Sequence, residues 1–232
     1  MKKKILICGS SKNLGKYLAN NFKKNSKVYS LSSSLKPNNN DIFNTDITKE
    51  HSLEKTFKEI KKKINSLDGI IFTVGNSTPT KGSLNDYKNS FNINFFSFVN
   101  LIETYLKVFK NKKIKIIVIS SIAGVKTINA PTEYSVSKSA LIYYSKIISK
   151  KLINKGVSIN IISPGNILIK DNNWSKKIKS NKKRVLKYIK NHVPSNQFVQ
   201  PIEIYKVCEL IFSDKNINLI GSNIIIDGGQ SL

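Results

Sequence analysis

The sequence is poor in acidic residues, and it has few cysteines, histidines and tryptophans. Asp and Glu together number 14 against 39 Lys and Arg in 232 residues, which gives a net charge of +25. The two cysteines, Cys8 and Cys208, are far apart, and no CxxC pair or histidine cluster is present. This scarcity argues against a disulfide framework and against a zinc site. We therefore expect a reduced, cytoplasmic protein that binds no metal.

Long apolar runs are also missing. No run approaches the roughly 20 residues that a helix needs to cross a bilayer. The first ten residues, MKKKILICGS, place only four apolar residues after the lysines, too few for the core of a signal peptide. We expect neither a membrane span nor a secretion signal.

The excess of positive charge raises the question of a nucleic-acid partner. Lysines are scattered along the whole chain and Arg184 is the only arginine, whereas phosphate and base recognition favours the arginine fork. Lys, Asn and Ile are all abundant and share A/T-rich codons, so the composition alone explains the charge. We expect no dedicated nucleic-acid binding, although the charge should attract acidic small molecules and acidic carrier proteins.

Short apolar runs alternate with amphipathic stretches. The predicted strands are 4–9, 27–31, 41–47, 68–75, 115–121, 157–165 and 222–229, and the predicted helices are 14–25, 48–64, 84–110, 131–154 and 201–213. Strands rich in Ile, Val and Leu without in–out alternation are buried on both faces, and regular β–α alternation implies a parallel sheet between helices. The sequence predicts an α/β fold, a Rossmann-like doubly wound three-layer sandwich with a seven-stranded parallel sheet. We expect one domain over residues 1–232, with a basic, partly helical insertion at about 170–197.

A glycine-containing loop, CGSSKNLG, follows the first predicted strand. Gly9 suits a tight turn, and Gly15 suits a close approach of the following helix. Asn13 stands where a middle glycine is usual, and Asn tolerates a positive φ better than most residues. The loop thus favours a phosphate-binding cradle at a helix N-terminus; the alternative is a plain turn.

The stretch EYSVSK places Tyr134 four residues before Lys138. On a helix, this spacing puts both side chains on one face. An adjacent ammonium would stabilise the phenolate and move the tyrosine's pKa toward neutrality, where acid–base catalysis is most effective. A lysine-rich chain with nine tyrosines is expected to hold such a pair by chance, so its meaning depends on its surroundings.

The glycine loop and the YxxxK pair together resemble the short-chain dehydrogenase/reductase family, and the resemblance extends over nearly the whole chain. Further landmarks of that family occur in order and on the expected elements. They are Asp46 in NTDIT, Asn94 in FNINFF, Ser121 at thirteen residues before the tyrosine, Pro164-Gly165, and Asp227-Gly228-Gly229.

The resemblance implies hydride transfer between a nicotinamide and a carbon bearing C=O or CH–OH. It makes Tyr134 the acid/base, Ser121 the group that holds the substrate oxygen, Lys138 the partner of the nicotinamide ribose, and Asn94 the anchor of a relay water. The implied cofactor contacts are Gly9, Ser11, Lys12, Asn13, Leu14, Gly15, Ser32, Asp46, Ile47, Gly75, Tyr134, Lys138, Pro164, Gly165 and Ile167. Read without the resemblance, Ser121 is a strand-end hydroxyl, Asn94 a helix-surface amide and Asp46 a turn-former.

Two positions depart from the family pattern. Thr73-Val74-Gly75 replaces the usual Asn-Ala-Gly, and Ile169 stands where a threonine often follows the Pro-Gly. Because the asparagine is absent, other groups must make the structural hydrogen bonds that it provides in the family. Ile169 puts one contact to the cofactor in doubt.

The second predicted strand indicates the cofactor. NAD-preferring folds place an acid at its end, but residues 29–36, YSLSSSLK, contain none. Lys12, the serines 32–34 and Lys36 are suited to surround a 2′-phosphate. We expect NADP, with NAD possible; the alternative is a Ser-rich turn of mixed preference.

The insertion at 170–197 is expected to cover the active site, where it either contacts substrate or forms a solvated surface. Trp174 either stacks on a ring or sugar, or anchors the insertion. A 3-oxoacyl group on an acidic carrier and a sugar or sugar-derived acid both suit the chain as substrate. By resemblance, the helices 84–110 and 131–154 form the interface of a homodimer or homotetramer. The rival interpretations are a non-catalytic NADP sensor, a nucleic-acid-binding Rossmann protein and another Rossmann enzyme such as a methyltransferase.

Overall fold

A computed structural model describes residues 2–38, 41–78, 80–110, 113–213 and 218–232. Seven strands form one parallel sheet in the order β3-β2-β1-β4-β5-β6-β7. They are β1 Lys4–Cys8, β2 Lys27–Ser32, β3 Ile42–Asn44, β4 Gly69–Phe72, β5 Ile114–Ile119, β6 Val157–Pro164 and β7 Asn223–Ile226. From β1 the chain builds β2 and β3 toward one edge of the sheet, then returns to form β4 beside β1 and builds the remaining strands toward the other edge. This change of direction creates a crevice at the carboxyl ends of β1 and β4. The expected α/β fold is confirmed.

Seven α-helices are present among the described residues. They are α1 Asn13–Phe22, α2 Glu50–Lys63, α3 Leu84–Phe91, α4 Ser97–Phe109, α5 Thr132–Leu152, α6 Asn173–His192 and α7 Pro201–Phe212. Proline opens α7, a position where its missing N–H costs no hydrogen bond. In the part of the chain that the structure describes, no helix has both the length and the apolarity to span a membrane.

Two hydrophobic cores lie on opposite faces of the sheet. Successive residues of a strand alternate between them: Leu6 belongs to the core beneath α2, α4 and α5, and Ile7 to the core beneath α1 and α7. Both side chains are fully buried. Strands buried on both faces explain why the apolar runs show no alternation in the sequence.

The third strand is shorter than predicted. The sequence predicts 41–47, but β3 ends at Asn44. Immediately beyond it, Asp46 accepts hydrogen bonds from the Thr48 backbone N–H at 3.0 Å and from its hydroxyl at 2.7 Å. This side-chain turn competes with the sheet ladder and directs the chain away from the sheet toward α2.

The predicted helix 84–110 is interrupted. A π-helical turn, Asn92–Phe96, separates α3 from α4. Such a turn rotates the side chains that follow it, and it is common at functional sites. Here it accompanies the burial of Asn94, while Asn92, two residues earlier, is exposed.

The 170–197 segment contains a helix, as the sequence predicts, and the structure adds a kink within it. Inside α6, Asn181 has non-helical backbone angles of φ −156° and ψ 81°. Its side chain accepts a hydrogen bond from the Arg184 backbone N–H at 2.9 Å. Asn181 thus caps the second half of the helix.

Candidate active site

The loop after β1 forms a tight cradle at the start of α1. Gly9 and Asn13 have φ values of +87° and +48°, the left-handed region that the sequence predicts for both. A Cβ built on Gly15 would lie 2.2 Å from the Gly9 carbonyl oxygen. Only a glycine at this position lets α1 approach the end of β1 so closely.

The N-terminus of α1 is suited to hold an anion. Its N-cap residue, Lys12, makes no side-chain capping bond, and the first turn contains no acid. The positive end of the helix dipole is therefore uncompensated by the protein. Ser10 in the same loop has a buried hydroxyl without a hydrogen-bond partner among the described residues. Together with the close approach of α1 to the end of β1 that Gly15 permits, these features fit the pyrophosphate of a dinucleotide.

Thr73 takes over the structural role that the family pattern gives to asparagine. Its hydroxyl donates to the Cys8 carbonyl at 2.7 Å and lies 3.3 Å from the Gly9 carbonyl. It therefore fastens the end of β4 to the end of β1. A Cβ on Gly75, two residues later, would lie 3.0 Å from the Lys138 Nζ, so this loop lies directly against the buried lysine.

Ser121, Tyr134 and Lys138 are brought together at the carboxyl end of β5. The Tyr134 hydroxyl is hydrogen-bonded to the Ser121 side chain. The Lys138 Nζ lies 5.9 Å from the centre of the Tyr134 ring and donates to the Ile119 carbonyl at 3.3 Å. Ser120 faces the other way and donates to the Lys138 carbonyl at 3.2 Å. The strand end and one face of α5 thus supply a hydroxyl, a phenol and an amine to one cleft.

Asn94 is a fully buried amide with defined partners, not a helix-surface residue. Its Oδ1 accepts from the Asn76 backbone N–H at 2.8 Å. Its Nδ2 lies within 3.2 Å of the Asn76 carbonyl, 3.0 Å of the Ser90 hydroxyl and 2.9 Å of the Ser137 hydroxyl. The amide therefore links the loop after β4 to α3 and α5.

Sequence reasoning assigned no functional role to Ser90, Glu133 or Ser137. Ser90 and Ser137 hold the Asn94 amide, and Ser90 also donates to the Glu133 carbonyl at 3.1 Å. Ser90 and Glu133, and likewise Asn94 and Ser137, are 43 residues apart along the chain. Spacing within a single sequence carries no signal for such contacts; only the position of Ser137 inside YxxxK hinted at a role.

The electrostatics of the pair differ from the sequence expectation. Burial raises the pKa of Tyr134, and the hydrogen bond from Ser121 opposes that rise. Burial also lowers the pKa of Lys138 to about 8. The expected net lowering of the tyrosine's pKa is therefore not found, because desolvation of the phenolate dominates. In this structure the phenol is a proton donor at neutral pH.

The buried amine makes stability depend on pH. Below about pH 8, Lys138 carries a charge whose burial opposes folding. Above it, the folded state releases the proton, whereas the unfolded chain keeps that proton up to the ordinary lysine pKa of 10.5. Stability contributed at this site therefore rises with pH in that window. We expect Lys138→Met to raise the free energy of unfolding by about 2 kcal/mol near pH 7. The substitution removes the cost of burying the charge, at about 1.4 kcal/mol for each unit by which the lysine's pKa is lowered, and the loss of the hydrogen bond to Ile119 offsets part of this gain.

Urea denaturation near pH 7 and near pH 9.5 measures this effect. The difference in the free energy of unfolding between the variant and wild type should be smaller at the higher pH. Lys146→Met is the matched control, since Lys146 is an exposed lysine on the same helix. A difference in the free energy of unfolding that stays constant across this range, or that appears equally in the control, contradicts the lowered pKa of Lys138.

The other predicted cofactor residues surround the same edge of the sheet. Ser32, at the end of β2, donates to Ser11 at 3.1 Å and lies 3.2 Å from the Ser34 hydroxyl. Leu14 is buried in the core beneath α1. The exposed Lys12 lies in the loop that also contains Ser11.

Each of the remaining predicted residues has a defined contact within the fold. Ile47 is buried, and its carbonyl accepts from Asn100 at 2.8 Å. Asp46 forms the turn with Thr48 described above, which agrees with the alternative interpretation of this residue as a turn-former. Pro164 ends β6, a Cβ on Gly165 would lie 2.9 Å from Asp227 Cα, and Ile167 pairs with Val199 in an isolated bridge.

Trp174 packs inside the segment that was expected to cover the site. Its ring stacks on Tyr188 at 5.2 Å and meets Phe198 edge-on at 5.5 Å. This arrangement is that of an anchor for α6. The lysines of α6 are exposed.

A family model described as "Enoyl-(Acyl carrier protein) reductase" matches residues 16–231. The chain belongs to the short-chain dehydrogenase/reductase family. The match begins just after the glycine cradle, so the assignment of the cradle as a phosphate site depends on its own geometry and not on the match. Membership confirms the expected enzyme class, an NAD(P)-dependent oxidoreductase.

Several members of this short-chain family are similar to the chain. Dehydrogenase/reductase SDR family member 6 of Rattus norvegicus is 28% identical over 81% of this chain and 77% of its own length. The 3-oxoacyl-[acyl-carrier-protein] reductase of Homo sapiens is 21% identical over 82% and 77%. Among solved structures, ElxO with NADP bound superposes with a TM-score of 0.86 at 24% identity over 99% of each chain.

Proposed function

We propose that this chain interconverts a carbonyl and an alcohol with NADP, using Tyr134 as the acid/base. The observation that carries the proposal is the assembly of Ser121, Tyr134, Lys138 and Asn94 around one cleft beside the glycine cradle. A scaffold that only bound the nucleotide would not need these four groups together.

The proton is handled by the protein. Tyr134, whose pKa is raised by burial, gives its proton to the carbonyl oxygen in the reducing direction and accepts one in the oxidising direction. Ser121 hydrogen-bonds the same oxygen and holds it in place. The Lys138 amine, close to the ring, stabilises the phenolate that remains. When bound, the nicotinamide supplies or accepts the hydride.

Asn94 holds the geometry of the cleft in this proposal. Its side chain is fully occupied by contacts with Asn76, Ser90 and Ser137. It therefore fixes the loop after β4 against the catalytic helix, beside Lys138. We propose that it also supports the relay of protons past Lys138, as in the family.

The cradle and the end of β2 support NADP as the preferred cofactor. Gly9, Asn13 and Gly15 would receive the pyrophosphate at the N-terminus of α1, where no acid repels it. The linked hydroxyls of Ser11 and Ser32 lie in the region where an acid would bind an unphosphorylated ribose. Lys12 adds a positive charge to this group, which suits a 2′-phosphate.

Lys12→Ala tests the cofactor preference. We expect the Kd for NADPH to rise about tenfold and the Kd for NADH to change little, because one charge-assisted contact to the phosphate is lost. Fluorescence titration with both nucleotides measures the change. Lys16→Ala removes the same charge one turn further along α1, from another exposed position, and should leave both values unaltered. Equal weakening of NADPH and NADH would contradict the phosphate contact.

The substrate class remains a choice between two proposals. The 3-oxoacyl-[acyl-carrier-protein] reductases among the relatives support a carrier-bound acyl substrate. L-sorbose reductase of Gluconobacter frateurii, with a TM-score of 0.85 at 19% identity over 99% of this chain and 96% of its own, supports a sugar. The exposed cations of α6 favour an acidic substrate or carrier in either case.

We propose that residues 170–197 form a substrate cover on a single domain. Asn172 fastens the start of the segment by donating to the Ile167 carbonyl at 2.7 Å. At its other end, Tyr188 accepts from Gln230, which in turn accepts from Asn166. The segment is thus tied to the chain that leaves β6, next to the cleft.

We also propose a homodimer or homotetramer in the cytoplasm. Large apolar side chains are exposed around the π-helical turn and along α5: Phe96, Val136, Tyr143 and Ile147. An apolar surface of this kind marks a protein interface. Both cysteines are buried free thiols, in keeping with a reducing compartment.

A nicotinamide-absorbance screen tests the proposal. NADPH and NADH are each offered with panels of 3-oxoacyl thioesters and of keto sugars, and the reverse reaction is offered the alcohols. We expect turnover with NADPH on one panel. No turnover with either nucleotide, despite tight nucleotide binding, would favour the non-catalytic sensor instead.

A further inference from the structure

The loop between β4 and α3 is fastened to the catalytic elements at two separate points. At its start, the backbone of Asn76 pairs with the buried Asn94 amide. Further along, the Thr80 hydroxyl donates to the Glu133 carboxylate at 2.5 Å. Glu133 directly precedes Tyr134, so the second bond reaches the first turn of α5.

Glu133 is unusual in this protein. It is one of only 14 acidic residues, and it is 4% exposed. Buried carboxylates require a partner, and Thr80 is the side chain that bonds this one among the described residues. The proton transfer proposed for Tyr134 makes no use of it, so its placement calls for another explanation.

The bond also organises the loop itself. The Thr80 oxygen accepts from the Gly82 backbone N–H at 3.3 Å, in a turn where Gly82 has a φ of +75°. One hydroxyl therefore closes the turn and reaches the catalytic helix. The Glu133 carbonyl is held in turn by Ser90, which also contacts the Asn94 amide. The two fastening points belong to one hydrogen-bonded network.

We infer that the Thr80–Glu133 bond is a tether that positions residues 76–78 and 80–82 as a wall of the substrate cleft. The inference rests on the proposed oxidoreductase function. Residues 75–78 are exposed beside the buried Lys138 and Asn94, so this stretch faces the space where a substrate must enter. Glu133 and Thr80 are positioning residues: they touch neither substrate nor cofactor and act through the loop.

Thr80→Val is the decisive variant. It removes the hydroxyl but keeps the shape of the side chain, and the loop should lose its second fastening. We expect the KM for the carbonyl substrate to rise about tenfold, since a hydrogen bond to a charged group is lost. The kcat should stay within about twofold, because Tyr134 and Ser121 remain in place, and the KM for NADPH should not change.

Conservative variants and a loop control separate tethering from general destabilisation. Thr80→Ser keeps the hydroxyl and Glu133→Gln keeps an acceptor, so both should retain near-normal KM values, whereas Glu133→Ala should behave like Thr80→Val. Thr78→Val is the matched control, because among the described residues the Thr78 hydroxyl bonds within the loop, to Asn76 at 2.6 Å, and does not reach α5.

Hydrogen exchange of the full chain supplies a readout that needs no turnover. Backbone amides of 76–78 and 80–82 should exchange faster in Thr80→Val than in wild type, Thr80→Ser or Thr78→Val. If wild type reduces no carbonyl, the proposed function fails while the exchange rates still test the tether. Unchanged exchange in Thr80→Val, or faster exchange with an unaltered substrate KM, would overturn the inference. A loss confined to kcat, or one shared equally by Thr80→Ser, would overturn it too.

Discussion

Tyr134→Phe is expected to lower kcat for carbonyl reduction by about a thousandfold, within the range that general acid–base catalysis contributes. The substitution deletes one oxygen. The ring, its packing and the position of the Lys138 amine remain, so the loss reports the proton transfer itself.

The position of the hydroxyl explains why no other group replaces it. Ser121 is hydrogen-bonded to Tyr134, but a serine hydroxyl is a far weaker acid than a phenol and cannot supply the proton at a useful rate. Lys138 is buried and directed at the Ile119 carbonyl. Neither neighbour can take over the transfer to a substrate oxygen held by Ser121.

Steady-state kinetics with NADPH and fluorescence titration of the nucleotide measure the two halves of this prediction. The Kd for NADPH should stay within about threefold of wild type, which is less than 1 kcal/mol. Tyr144→Phe is the matched control, because Tyr144 lies on the same helix, and burial raises its pKa as well. Its ring packs edge-on against Phe95 at 5.5 Å, outside the cleft. Wild-type turnover by Tyr134→Phe would refute the acid–base assignment.

The fold was accessible from the sequence because its signals are local. Apolar runs such as that of β1, the glycines around Asn13, and the proline at the start of α7 each report the structure of their own few residues. Burial on both faces of a parallel sheet is also a property that a run of Ile and Val reveals by itself. These signals sufficed for the order of elements and for the cradle.

The details of the cleft were not accessible in the same way. The π-helical turn at Asn94 spans five residues that include no proline or glycine, so the sequence predicts one continuous helix where the structure has two. The bond between Thr80 and Glu133 joins residues 53 positions apart. Thr73 could be recognised as a departure, but the two carbonyls that it bonds belong to the last residue of β1 and to the loop that follows it. Contacts across the fold need coordinates or an alignment.

The pKa of Tyr134 shows a second limit of sequence reasoning. A lysine four residues away predicts a lowered pKa, but the sequence contains no measure of desolvation. In the structure, burial raises the tyrosine's pKa and lowers that of the lysine. Which term dominates depends on the surrounding cleft.

Gly15→Ala is expected to abolish useful nucleotide binding, with a rise of at least about a hundredfold in the Kd for NADPH. The added methyl would lie 2.2 Å from the Gly9 carbonyl oxygen and 2.6 Å from the Thr73 hydroxyl. The nearest atom is backbone, which cannot rotate away. Either α1 or the loop after β1 must move, at a cost of about 3 kcal/mol or more, and about 1.4 kcal/mol corresponds to each factor of ten in Kd.

The damage should be concentrated in the cradle, because that is where the displaced atoms belong. Moving α1 withdraws the uncapped N-terminus from the phosphate site, and moving the loop breaks the bonds that Thr73 makes to the Cys8 and Gly9 carbonyls. Both responses change the place where the pyrophosphate would lie. NADPH and NADH should therefore be weakened alike, in contrast to the selective effect expected of Lys12→Ala.

Nucleotide titration and thermal unfolding together measure the outcome for Gly15→Ala. We expect a lower Tm as well as weaker binding, since part of the strain remains in the folded state. Lys16→Ala places the same new residue at the next position of α1, on an exposed face, where alanine is a favourable helix former. That control should bind both nucleotides normally and lose no stability. Normal binding by Gly15→Ala would mean that the dinucleotide does not lie over the start of α1, and the site would have to be sought elsewhere along the edge of the sheet.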